Sequence, residues 1–259
     1  MHPARRVRGR IPKLTGLALA VLVILPSTAH AVPPRLDAVG YGAAGVATAR
    51  YTLALDSTDP FVEVATAPDT QPDGSFVRAN VVDSDDLFDD EETWKSEKRI
   101  GPGTYYVHLR ATSRPPCGDP DPDSCPEVTE WSEILTLVIP PPLRGKYVGK
   151  TFFGERISFI MSSDGKTVVK LTVDYALDCS RAPGLGIIRV RFPPIAVQQD
   201  LDFREVLKLK QGGLRLTFTV AGTLTLRGKA SGGLRARGSV RGLGKCRSFG
   251  DPDWSVRRR

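Results

Sequence analysis

Pro140-Pro141-Pro142 divides this chain, because the residues before and after it differ in charge and each side carries its own pair of cysteines. Three consecutive prolines fix φ and remove three backbone donors, which excludes a helix interior or a central strand and favours a stiff spacer. From residue 32 to the last of these prolines the chain has 8 basic and 20 acidic side chains, and beyond it 23 basic and 9 acidic, for nets of −12 and +14. The expected layout is an acidic unit over residues 32–139, a Pro-rich hinge at 140–143 and a basic unit over 144–259.

Both units read as β structure. In the first, the runs Arg50 to Leu55, Phe61 to Ala65, Ser75 to Val82, Thr104 to Ala111 and Ile134 to Ile139 are separated by the turn signals Asp73-Gly74 and Gly101-Pro102-Gly103. In Tyr105-Tyr106-Val107-His108-Leu109-Arg110-Ala111, the period of two puts Tyr105, Val107, Leu109 and Ala111 on a core face and Tyr106, His108 and Arg110 on a solvent face. In the second, strands are expected at Ile157 to Met161, Val168 to Leu177, Ile187 to Phe192, Leu214 to Val220, Thr223 to Leu226 and Leu234 to Val240, with Asp164-Gly165 closing the first hairpin. The fold class is therefore all-β, as two β-sandwich domains joined by the hinge.

The first unit resembles a fibronectin type III domain over residues 33 to 140. The likeness rests on Pro34, on Pro102-Gly103-Thr104-Tyr105 followed by alternation to Ala111, and on Trp131-Ser132-Glu133 ahead of a last strand. It implies that Tyr105 forms the tyrosine corner and that Cys117 to Cys125 lies in a binding loop between the last two strands. The sequence lacks the family's tryptophan in the second strand, leaving Tyr51 or Leu53 to fill that core, and it inserts acids at Asp83 to Glu92. The second unit resembles a β domain that recurs in secreted actinobacterial proteins, through Tyr147, Gly149, Gly154, Ser158-Phe159, Asp164-Gly165 and Trp254-Ser255; that likeness implies export and a β fold only.

Arg5, Arg6, Arg8, Arg10 and Lys13 precede an apolar run from Leu14 to Leu25 and the small-residue site Ala29-His30-Ala31. This is the pattern of a secretory signal peptide over 1–31, cleaved near Ala31, and the expected location is extracellular or cell-wall associated. No later segment is apolar enough to span a membrane as a helix. Four cysteines in an exported chain are expected to pair. Of the three possible pairings, Cys117 with Cys125 and Cys179 with Cys246 keeps each bridge within its unit.

Asp119, Asp121 and Asp123 alternate, with Glu130 seven residues on, a partial match to a calcium loop. Ser124 stands where that loop needs glycine and prolines intervene, so a solvated acidic loop is the stronger reading and no cofactor other than calcium is suggested. Asp83 to Glu92 reads likewise as a self-repelling surface loop. In the second unit, Arg204, Lys208, Lys210, Arg215, Arg227, Lys229, Arg235, Arg237, Arg241, Lys245 and Arg247 face Glu205 alone between residues 204 and 247. Such a surface attracts polyanions, with Arg215, Arg227, Lys229, Arg235, Arg237 and Arg241 as the binding candidates. Outside the cell the partners are anionic wall polymers, lipid headgroups or DNA without sequence recognition; docking on the acidic unit, or self-association with a partner copy, is the competing use.

Nothing marks an enzyme. Once the leader is removed His108 is the one histidine, and neither GxSxG, HExxH nor a phosphate loop occurs. The 29 acids leave a two-carboxylate glycosidase open, but they fall in loop-like runs and aromatic residues are only 7% of the chain. The expectation is a non-enzymatic binding or adhesion protein; the rivals are a structural protein held together by its opposite charges and a carbohydrate-binding or glycan-cleaving module.

Overall fold

A computed structural model describes residues 33–53, 57–87, 92–113, 125–250 and 252–259, with only the backbone of 183–186. Among them the single helical element is one 3-10 turn, Arg78–Asn80; all else with regular structure is β. Among the described residues no helix is long and apolar enough to cross a membrane.

The first unit contains β1 (Arg35–Tyr41), β2 (Val46–Thr52), β3 (Ser57–Ala65), β4 (Val81–Asp86), β5 (Thr93–Arg99), β6 (Gly103–Ser113), β7 (Val128–Trp131) and β8 (Leu135–Ile139). They form one sheet of order β1-β2-β5 and another of order β4-β3-β6-β7, in which β8 also pairs with β6. β7 and β8 share one edge of β6, interrupted where Ser132 steps out: its N–H donates to Leu109 O at 2.7 Å and its Oγ accepts from Leu109 N at 2.9 Å. Tyr105, Val107, Leu109 and Ala111 are all buried, as their alternation requires. Tyr51 and Trp94 fill the core from the facing sheet. The Tyr105 hydroxyl donates to Ile100 O at 2.9 Å, pinning the turn that leads into β6.

The acidic run departs from expectation. Asp83 to Asp86 is not loop but the second half of β4, paired with β3 from Phe61↔Asp86 to Val64↔Asp83, while most of Ser75 to Val82 is connection rather than strand. β4 ends its sheet, and charges on an edge strand discourage pairing with another chain, so the acids suit a strand after all. Asp83 is itself buried, which raises its carboxyl pKa against the pull of Lys98.

The second unit comprises β9 (Gly145–Thr151), β10 (Arg156–Met161), β11 (Thr167–Cys179), β12 (Ala182–Arg191), β13 (Ile195–Ala196), β14 (Asp202–Gln211), β15 (Leu214–Leu224), β16 (Lys229–Val240), β17 (Gly244–Ser248) and β18 (Asp253–Arg258). These make one ten-stranded sheet of order β12-β11-β10-β9-β18-β16-β15-β14. Because β17 pairs with both β11 and β16, the path β11-β10-β9-β18-β16-β17 returns to β11 and closes on itself. The second unit is thus a closed ring with flanking strands rather than two separate sheets. Cys179 and Cys246 face each other where β17 meets β11 and are disulfide-bonded, so the covalent bond fastens the closure. Tyr147, Phe159, Tyr175, Phe203, Phe218 and Trp254 fill the interior. Gly222 leaves room for the Trp254 ring, since a Cβ there would lie 2.4 Å from it. In the first unit Cys125 is also disulfide-bonded; Cys117 lies outside the described residues.

The Pro-rich segment links β8 to β9 as packed chain. Pro142 is buried, and both Pro141 and Pro142 lie against Gly165 of the β10–β11 turn. The units also touch elsewhere. Leu226 N–H donates to Ala43 O at 2.9 Å, and Gly101, at φ +79°, lies so close to Gln199 that a Cβ would sit 1.7 Å from its carbonyl oxygen. The ion pair across this junction is Arg99 with Asp202 at 3.2 Å, in which the acidic unit supplies the cation and the basic unit the anion. Among the described residues the junction thus does not pair the opposite net charges, and Arg204, Arg235 and Arg237 of the basic sheet face are exposed.

Candidate functional site: a cationic sheet face

β15 is the centre of the site. Its sequence Leu214–Leu224 alternates strictly: Leu216, Phe218, Val220 and Leu224 point into the core, and Arg215, Thr217, Thr219, Ala221 and Thr223 point out. The neighbours are in continuous register, so outward side chains line up in rows across the strands. One row runs Lys208, Thr217, Arg237, Arg247 and ends at Asp178, which lies 3.7 Å from Arg247. The next runs Lys210, Arg215, Ser239, Lys245. On the other side come Val206, Thr219, Arg235, and then Arg204, Ala221, Gly233, Asp253.

These rows place eight cations from four strands on one face, with threonine hydroxyls between them and, among the described residues, acids only at the margins. Ala221 opposite Gly233 leaves a low floor, while Arg204, Arg235 and Arg237 rise beside it, and the resulting depression holds about 460 Å³. Guanidinium forks match the oxygens of phosphate or carboxylate, and a hydroxyl both donates and accepts, so the face suits an oxyanion-bearing ligand.

Lys210 stands directly opposite Arg215, Arg237 opposite Arg247, and Lys229 opposite Arg257. Like charges at facing positions destabilise a sheet by a few tenths to about 1 kcal/mol. Lysines on β14 have an ordinary use, since β14 is a sheet edge. Arg237 and Arg247 lie on interior strands, where that explanation does not apply.

Of the binding candidates, Arg215, Arg235 and Arg237 share this face. Arg241 sits in the turn at its end, over Gly213. Arg227 and Lys229 belong to the opposite end of the β15–β16 hairpin; Lys229 is six residues from Arg235 along β16, about 20 Å. There Lys229 helps line a second depression with Lys150 and Arg257. Asp119, Asp121 and Asp123 lie outside the described residues. Glu130 is in β7, with Oε2 buried and lacking a hydrogen-bond partner.

His108 overturns its expected place. It is 1% exposed rather than solvated, sandwiched between Phe76 at 3.8 Å and Trp131 at 4.0 Å. Its Nε2 meets Glu63 Oε2 at 2.9 Å, and the same oxygen accepts from Phe76 N–H at 2.8 Å. Burial lowers the imidazole pKa against the pull of Glu63, favouring a neutral ring that donates its Nε2 proton to the carboxylate. The pair acts as a fastener for the 66–80 connection, which Trp131 also holds by donating from Nε1 to Asp73 O at 2.8 Å. No signal in the alternation of β6 distinguishes this arrangement; Phe76 and Trp131 come from remote segments.

Family models, curated proteins and solved structures return no match to this chain. The cationic face accordingly has to be read from its own chemistry.

Proposed function

We propose that the protein is an exported, non-enzymatic binding component of the cell envelope, and that the outer face of β14–β17 engages an anionic envelope polymer. The observation that carries this reading is the pair of facing cations within the sheet, Arg237 and Arg247, continued by Lys210 and Arg215. Asp178 meets Arg247 at the end of its row, but among the described residues no acid stands between Arg237 and Arg247 or between Lys210 and Arg215, and a bound polyanion would relieve that repulsion. The leader pattern and the disulfide support export. The pairing order of the first unit and the Tyr105 corner support its reading as a fibronectin type III-like module carried beside the binding face.

The test is co-sedimentation of residues 32–259, which hold every described element, with purified cell-wall material across a salt series. Binding should weaken steeply as salt rises, and Arg235→Glu with Arg237→Glu should abolish it while circular dichroism shows the β fold retained. Equal binding by that double variant, or none by wild type at low salt, removes the proposal.

A further inference from the structure

Phe152, Phe153 and Phe249 are 81%, 44% and 55% exposed. They come from two separate segments, the β9–β10 turn and the residue after β17, yet the rings touch: Phe153 lies 5.2 Å from Phe152 and 5.2 Å from Phe249, edge to face in both pairs. Single exposed apolar residues are ordinary, but contiguous ones mark an interaction surface.

The cluster adjoins the cationic face. Phe152 N–H donates to Asp253 O at 2.7 Å, which sets Phe152 at the end of the row Arg204, Ala221, Gly233, Asp253. Phe249 is two residues past Arg247, and Leu234 N–H, donating to Pro252 O at 3.1 Å, holds the chain beyond it against β16 between Gly233 and Arg235. The surface thus presents an apolar tip that borders the cationic face on the side of Arg235 and Arg247, with Asp253 on the side of Phe152.

Three kinds of occupant fit an aromatic cluster, and the geometry separates them. Sugars and bases stack on flat platforms, whereas these rings stand at 85° and 71° to one another and offer none. A second copy packed symmetrically on the tip would bring Arg235, Arg237 and Arg247 of both copies together. A bilayer accepts rings at any mutual angle and supplies phosphates to the cations of the adjoining face. We propose that Phe152, Phe153 and Phe249 form a prong that inserts into the interface of an anionic lipid bilayer while the cationic face lies against the headgroups. This rests in part on the reading of that face as anion-binding, but the rings contribute independently of it.

The experiment is sedimentation of residues 32–259 with phosphatidylcholine vesicles, with and without phosphatidylglycerol, alongside the cell-wall assay. Wild type should bind the anionic vesicles. Replacing all three phenylalanines by serine should cut vesicle partitioning by at least about tenfold while wall-polymer binding is kept. In an otherwise wild-type chain, Phe153→Trp should show a blue-shifted indole emission on anionic vesicles. Equal vesicle binding by the triple variant, no emission shift, or prong-dependent self-association without vesicle binding overturns the inference. Prong-dependent vesicle binding together with wall-polymer binding that survives Arg235→Glu/Arg237→Glu would uphold the prong and defeat the polymer reading, so the two can fail separately.

Discussion

β6 runs between β3 and the β7–β8 pair, β15 runs between β14 and β16, and both alternate apolar and polar residues. The inner faces behave alike: Tyr105, Val107 and Leu109 in one and Leu216, Phe218 and Val220 in the other are buried. The outer faces do not. Over β6, Phe76 and Trp131 close on His108 and make a second buried layer; over β15, Arg215, Thr217 and Thr219 remain accessible between rows of cations. Period two reports which side of a strand is core. Whether the other side is open depends on what distant chain lies across it.

The strongest way to break this contrast is to loosen the unit with the open face. Replacing Cys179 and Cys246 by alanine releases a 67-residue closure and should cost about 4 kcal/mol on the chain-entropy view, read as a large fall in the unfolding midpoint. Next is removal of the cover on β6: Phe76→Ala should cost roughly 3 kcal/mol, and the His108 titration followed by NMR should move up toward 6.5 as the ring becomes wet. The matching change on the open face, Thr219→Ala, should stay within about 0.5 kcal/mol.

A pH series sharpens the comparison further. The folded pKa of His108 lies below its unfolded value, so between the two the unfolded chain holds more protons and stability falls as pH drops below about 6.5. His108→Gln, which keeps a donor to Glu63, should flatten that slope. Asp83, with its pKa raised by burial, contributes in the opposite sense above the ordinary value of 3.8, losing stability as pH rises through its folded pKa. The smallest effect belongs to the facing cations: Arg237→Thr should raise the low-salt unfolding free energy by about a few tenths of a kcal/mol and blunt its rise with salt, while weakening polymer binding.

Part of each unit was legible because the information is local. The alternation from Tyr105 to Ala111 and the Asp73-Gly74 and Asp164-Gly165 turns, with their glycines at positive φ, follow from nearby residues, and the Cys179–Cys246 pair follows from preferring bridges within a unit. β14 was missed although Phe203, Leu207 and Leu209 alternate, because the intervening charges dominate its composition. The short strands β7 and β17 carry too few apolar residues to show a period. The burial of His108 and the closure of the ring depend on segments tens of residues apart, which no window along the chain contains. The cations were visible as a list, but only the register separates Arg235 and Arg237 from Arg227 and Lys229.

The insertion of β18 between β9 and β16 has a consequence for how the chain is made. All described strands of the first unit lie within residues 35–139, so that unit can assemble while later residues are still emerging from a ribosome. The second cannot: β9, near its start, finds one of its two neighbours only when Asp253–Arg258 arrives. A nascent chain stopped before Asp253 should carry a structured front half and a protease-sensitive rear.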